Sequence, residues 1–128
     1  MPKKRTWLVS DIFDGINIKL VHSEKKAQKI LRDYHIISEI IPTDAQMWKI
    51  PNDDNEEMYL VYTERKDFSP ETLGLLAHEA THIAQYFMEG IGEENPSVEF
   101  FAYVVQAATT NLLIQQREYI RKKTIEQP

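Results

Sequence analysis

Residues 69–90 read SPETLGLLAHEATHIAQYFMEG, and the rest of the chain is read outward from this stretch. Ser69 suits a helix cap, Pro70 the first helical position and Glu71 the positive end of the helix dipole, while Gly90 is a stop signal. A helix is expected from about Pro70 to Glu89, with a core stripe of Leu73, Leu76, Ala77, Ala80, Ala84 and Phe87. Within it, His78-Glu79-Ala80-Thr81-His82 reads H-E-x-x-H. Imidazoles four residues apart stand about one turn apart on one helix face, so both can reach one metal ion. Glu79 points to a neighbouring sector, where it can take a proton from a metal-activated water, the arrangement a zinc hydrolase needs. With four histidines and thirteen glutamates in the chain, chance yields this pattern in roughly one such chain in a hundred. His78 and His82, with Leu75 and Tyr86, fall nearly opposite the core stripe, so the helix is expected to lie between a core and a site.

A catalytic zinc takes three protein ligands and keeps one position open. The chain has no cysteine, so the third ligand must be His, Asp or Glu. Glu99 is the choice, in the first turn of a second long helix opened by Asn95-Pro96 and running to about Lys122. Glu93 and Glu94 are its rivals, but a loop holds a ligand less firmly than a helix. The alternative for Glu99 is a carboxylate that only complements the helix dipole. Glu79 is the candidate general base, passing its proton to a leaving amine. Tyr103, one turn beyond Glu99, would bond a ligand or donate to an oxyanion; its alternative is a core tyrosine. Tyr86 is a weaker oxyanion candidate, and Thr81 and Gln85 receive no role. The second helix reads as an apolar stripe of Val98, Phe101, Ala102, Val105, Thr109 and Leu112. Beside it runs a polar stripe of Glu99, Tyr103, Gln106 and Thr110, which asks for a purpose if buried. Arg117, Arg121, Lys122 and Lys123 suit a helix C-terminus.

Upstream, Trp7-Leu8-Val9 and Ile16 to Leu20 read as strands, separated by an Asp14-Gly15 turn. Ser23 opens a helix with Ala27, Ile30, Leu31 and Tyr34 at helical spacing. His22 and His35 flank it and read as ordinary histidines. Residues 36–41 are an apolar, β-branched run ended by Pro42. Ala45 to Ile50 and Glu57 to Glu64 read as two strands of a hairpin around a polar loop. Met58, Leu60 and Tyr62 share one face, and Tyr59 and Val61 the other, so both faces should be covered. The acidic residues at 53–57 lack the spacing of a calcium loop.

At 128 residues this is a single α+β domain: a sheet lobe over about 6–64, the motif helix over about 70–89 and the glutamate helix over about 96–122. A net charge of −5 argues against broad affinity for nucleic acid or anionic membrane. The basic start Met1-Pro2-Lys3-Lys4-Arg5 leads into too short an apolar patch for a signal peptide, and no run is long enough to span a bilayer. A cytoplasmic setting is expected, in keeping with the lack of cysteine.

His78-Glu79-Ala80-Thr81-His82 followed by Glu99 resembles the gluzincin branch of zincin metallopeptidases. It is most similar to minimal single-domain members, the minigluzincins, which include small proteins of phages and mobile elements. Glu99-Phe100-Phe101-Ala102-Tyr103 is similar to their second helix. The resemblance covers about residues 58–110. It implies a zincin-like fold with a small mixed or antiparallel sheet, one Zn2+ per chain on His78, His82 and Glu99, Glu79 as base, and a peptide or protein substrate. It also implies an edge strand that pairs with extended substrate, formed by residues 57–63 or their neighbour. Two departures stand out: the chain has no second lobe to supply an oxyanion residue, and Tyr103 stands where an acidic residue often follows the glutamate. A catalytically weak or inactive binding protein on the same scaffold is the other reading. A deformylase-type hydrolase would need a cysteine ligand that this chain lacks. Specificity is expected in the 88–95 loop, the hairpin loop or the face around Trp48.

Overall fold

The strand Glu57–Thr63 forms the centre of the molecule because its sequence offers no face to water. The computed structural model describes residues 8–9, 16–41, 44–51, 57–92 and 97–126. It buries Met58, Tyr59, Leu60, Val61 and Tyr62 at no more than 4 % exposure. Each such side chain contributes about 1.5–3 kcal/mol through burial. In chain order the elements are β1 (Leu8–Val9), β2 (Ile16–Val21), α1 (Glu24–Asp33), β3 (Ala45–Ile50), β4 (Glu57–Thr63), α2 (Pro70–Gly90) and α3 (Val98–Glu126).

The sheet has the order β1-β2-β4-β3. β2 runs parallel to β4, while β1–β2 and β3–β4 are antiparallel, so the sheet is mixed and the fold is α+β. Tyr59 and Val61 face a core shared with Ile18 and Leu20 of β2, Leu76, Ala80 and Ile83 of α2, and Val104, Ala108 and Leu112 of α3. Met58, Leu60 and Tyr62 face a second core with Val21, Ile50, Ala27 and Leu31. One helix thus covers one sheet face and two helices cover the other, as the alternation in β4 requires. Among the described residues no helix is long and apolar enough to cross a membrane.

Local chemistry sets the helix ends. Ser23 caps α1, accepting from the Lys26 amide at 3.0 Å. His35, with φ 59°, adopts the left-handed conformation just past α1, so its role there is in the backbone turn. Ser69 caps α2, accepting from the Thr72 amide at 3.3 Å. The stop of α2 differs from expectation in detail: Gly90 is the last helical residue, and Gly92, at φ 75°, makes the left-handed turn. Gly90 has a different constraint, because a Cβ there would run into the Glu57 carboxylate. Asn95-Pro96, the expected start of the second long helix, lies outside the described residues. Ser97 is described, and its Oγ accepts from the Phe100 amide at 3.0 Å.

The face of α3 is a correction. The buried residues are Val104, Ala107, Ala108, Asn111, Leu112 and Gln116, whereas Val98 is 87 % exposed and Ala102 is exposed. The inward face is rotated by about one residue, roughly 100°, from the expected stripe. Asn111 and Gln116 explain the difference, since they are polar residues buried for their hydrogen bonds and so do not register as apolar. Likewise α2 buries Thr72, Glu79, Ile83 and Met88 beyond the expected stripe. Residues 36–41 form no regular element; Ile36 and Ile40 pack on the α1-side core while Ile37 is fully exposed.

Candidate metal centre and groove

The start of α2 is fixed before its histidines are reached. Asp67 accepts from the Ser69 amide and hydroxyl at 3.4 and 3.1 Å and from the Thr72 hydroxyl, and Arg65 Nε donates to Thr72 Oγ1 at 3.1 Å. Gln116 of α3, fully buried, reaches across and donates to the Arg65 and Asp67 carbonyls at 3.0 and 2.9 Å. Its Oε1 lies 2.6 Å from His22 Nε2. Both Gln116 protons are engaged by carbonyls, so His22 must be the donor in that bond. One glutamine therefore ties α3, the connection before α2 and the end of β2 together, a role with no mark in the hydrophobic pattern.

His78 and His82 then stand on one face of α2. Their Nε2 atoms are 3.1 Å apart, with ring centroids at 4.8 Å and planes at 81°. Two nitrogens held at about 2.0–2.1 Å on a tetrahedral ion would lie about 3.3 Å apart. The spacing is close to that value, and in the metal-free chain it is held by a hydrogen bond between the two nitrogens that a bound ion would have to replace. His82 Nδ1 donates to Gln85 Oε1 at 3.2 Å, which leaves Nε2 without a proton, as the acceptor of a hydrogen bond from His78 Nε2 at 3.1 Å. Sequence reading gave Gln85 no role. The signal was its i, i+3 spacing from His82, which puts it within reach of the far ring nitrogen.

Glu79 is 6 % exposed and buried beside the imidazoles. Burial pushes its carboxyl above the ordinary glutamate range, and the neighbouring His78 and His82 oppose that shift. Glu79 and His78 line an open groove of about 600 Å³. Gly74 and Leu75 of α2, Asp44 and Ala45 at the start of β3, and Arg65 and Glu71 complete its lining. A Cβ added at Gly74 would meet nothing, so the groove is open there. Among the described residues β3 is the outermost strand on this side and β4 is internal, so the edge is formed by the neighbour of residues 57–63 and not by those residues themselves.

The other candidates are placed differently. Glu99 and Tyr103 are exposed on α3, Tyr103 at 50 %, and with Gln106 and Thr110 they form its solvent face. The polar stripe is therefore solvated, and neither residue lines the groove. Among the described residues no group of three His, Asp or Glu side chains is placed to hold a metal ion. Glu93 and Glu94, the hairpin loop 52–56 and the second half of the 88–95 loop lie outside the described residues. Tyr86 is 40 % exposed. Trp48 belongs to the sheet face covered by α1, where its indole donates to Ser38 at 3.0 Å, so its face is not the one that carries the histidines. His22 is half-buried and stacked on Tyr119, and His35 is exposed; neither joins the pair. Comparison with protein-family models, with curated proteins and with solved structures finds no match.

Proposed function

We propose that this chain is a zinc-dependent peptidase of the minimal gluzincin type, acting on an extended peptide segment. The observation that carries this reading is the convergence of the His78 and His82 Nε2 atoms to 3.1 Å beside the buried Glu79, at an open groove. Zinc, when bound, supplies a Lewis acid that makes water acidic enough to act as a nucleophile near neutral pH. His78 and His82 would hold it; no third donor stands beside them among the described residues, and the candidates for that place are Glu99, which faces solvent on α3, and Glu93 or Glu94. Gln85 fixes the His82 ring by accepting from Nδ1. Glu79 would take the proton of the attacking water and deliver it to the departing amine, a role suited to its buried position beside the two imidazoles. The outer edge of β3, beyond which no described strand pairs, offers backbone groups to an extended substrate.

The test is Glu79→Gln in zinc-loaded protein. The expected outcome is unchanged zinc content with peptide cleavage reduced by about 10²–10⁴-fold. Equal turnover by the variant would overturn the assignment. The outward placement of Glu99 and Tyr103 favours a second reading, a zincin-type binding or regulatory protein without turnover. Zinc bound through His78 and His82 with no cleavage across a peptide library would select it.

A further inference from the structure

Six of the ten lysines of this net-negative chain meet in one place. Lys19, Lys26, Lys29, Lys66, Lys122 and Lys123 line a single groove of about 850 Å³, distinct from the one beside the histidines. They come from β2, α1, the β4–α2 connection and the end of α3, so the fold, and no local run of sequence, assembles the charge. Among the described residues Glu118 is the single carboxylate in the lining, and it already accepts from Arg121 at 2.9 and 3.1 Å. Lys29 has a largely exposed ion pair with Asp33 at 3.9 Å, which neutralises little. Burial together with the Lys26 and Lys122 ammonium groups lowers the pKa of Lys19, so these like charges are close enough to oppose one another.

The groove is built on fixed parts. His22 stacks on Tyr119 with ring centroids 3.6 Å apart and planes at 16°, and it is held by the buried Gln116 at 2.6 Å. The Lys123 ammonium lies 5.7 Å from the centre of the same tyrosine ring. Ser23 and the N-terminus of the ten-residue α1 open onto the groove. The backbone edge of β2 is already satisfied there. Gln115 accepts from the Leu20 amide at 2.9 Å and donates to the Ile18 carbonyl at 3.0 Å, so the groove is not a sheet edge waiting for a strand.

We propose that this groove binds a compact polyphosphorylated anion, of the size of a nucleoside triphosphate or smaller. Lysines act as point charges toward phosphate oxygens, and several around one concavity suit a ligand that packs several negative charges into a small volume. The volume falls within the roughly 300–1,000 Å³ of small-molecule sites. A nucleic-acid strand would instead call for a basic track, and the chain's net charge of −5 opposes a long polyanion.

The probe is inorganic tripolyphosphate, titrated calorimetrically into the metal-free full chain. One site per chain is expected, with affinity falling about tenfold or more between about 50 and about 200 mM salt. The double variant Lys26→Gln/Lys122→Gln should weaken binding by about tenfold or more, while Lys25→Gln, an exposed lysine of α1 outside the groove, should change it less than about twofold. Both groove positions are exposed, so circular dichroism should show the fold retained. His78→Ala should bind as the parent does; loss of binding in it would place the anion at the histidines and overturn the proposal. Equal affinity in the double variant, or no binding at low salt, would also overturn it. Tighter binding of a single-stranded DNA oligonucleotide at equal phosphate concentration, with the same lysine dependence, would replace the compact anion by a nucleic-acid strand.

Discussion

Glu99 and His22 show how differently two polar residues can be read from a sequence. Glu99 stands in the first turn of α3 on its solvent face, and the ligand role proposed for it rests on chemistry and not on contact. Replacing Glu99 by Ala is expected to weaken zinc binding at least about tenfold, measured by competition with a chromogenic chelator. Unchanged affinity would move the role to Glu93 or Glu94. His22 drew no role from sequence, yet it is held between Tyr119 and Gln116. Burial lowers its pKa, the Gln116 bond opposes that, and Lys26, Lys66 and Lys123 add to the lowering. Because the folded pKa lies below the unfolded value of about 6.5, the unfolded chain takes up a proton that the folded one refuses. The contribution is fully present above about pH 6.5 and is lost as pH falls toward the folded pKa. Urea unfolding between about pH 7 and pH 5 should show stability falling, and His22→Gln should flatten that slope. A parallel slope in the variant would assign the acid sensitivity elsewhere.

At the scale of elements, the rotation of α3 carries the clearest consequence. Leu112 is fully buried against the sheet, whereas Val98 is 87 % exposed although both belonged to the expected stripe. Leu112→Ala should cost about 2–5 kcal/mol in urea denaturation, and Val98→Ala less than about 0.5 kcal/mol. Comparable losses would mean that α3 packs with the face first expected. The strands and the start of α2 were far more legible. Ser69-Pro70-Glu71 carries cap, proline and charge together, and the alternation in β4 is complete on both faces. α3 was less legible because Asn111 and Gln116 face inward through hydrogen bonds, which a count of apolar residues assigns to the outside.

For the molecule as a whole, two cores close on either side of the sheet, and neither includes His78, His82 or Glu99. The metal-free chain should therefore be folded, and zinc should act by mass action on the folded state. At free zinc about a hundredfold above Kd the gain is about 2.7 kcal/mol, which for a chain of this size raises Tm by about 10 °C. A chelator should return Tm to the metal-free value. His78 is exposed, so His78→Ala should abolish the zinc-dependent rise while shifting the metal-free Tm little. A chain that loses its far-ultraviolet circular dichroism on chelation would contradict a metal-independent core.

The sequence by itself determined whatever depends on spacing along one element. It set the period of the strands, the two-faced burial of β4, the limits of the motif helix to within a residue, and the placing of His78 and His82 on one turn. Such features need only backbone geometry and the identity of near neighbours. Tertiary structure decided whatever depends on how elements rotate and meet. It turned α3 so that Glu99 and Tyr103 face water, made β3 the sheet edge and β4 its interior, and set Gln116 as a tie among three segments. It also gathered lysines from four parts of a net-negative chain around one groove. The physical reason is common to these cases: side-chain hydrogen bonds and charges from distant segments add together in space, and spacing within any one segment carries no trace of that sum.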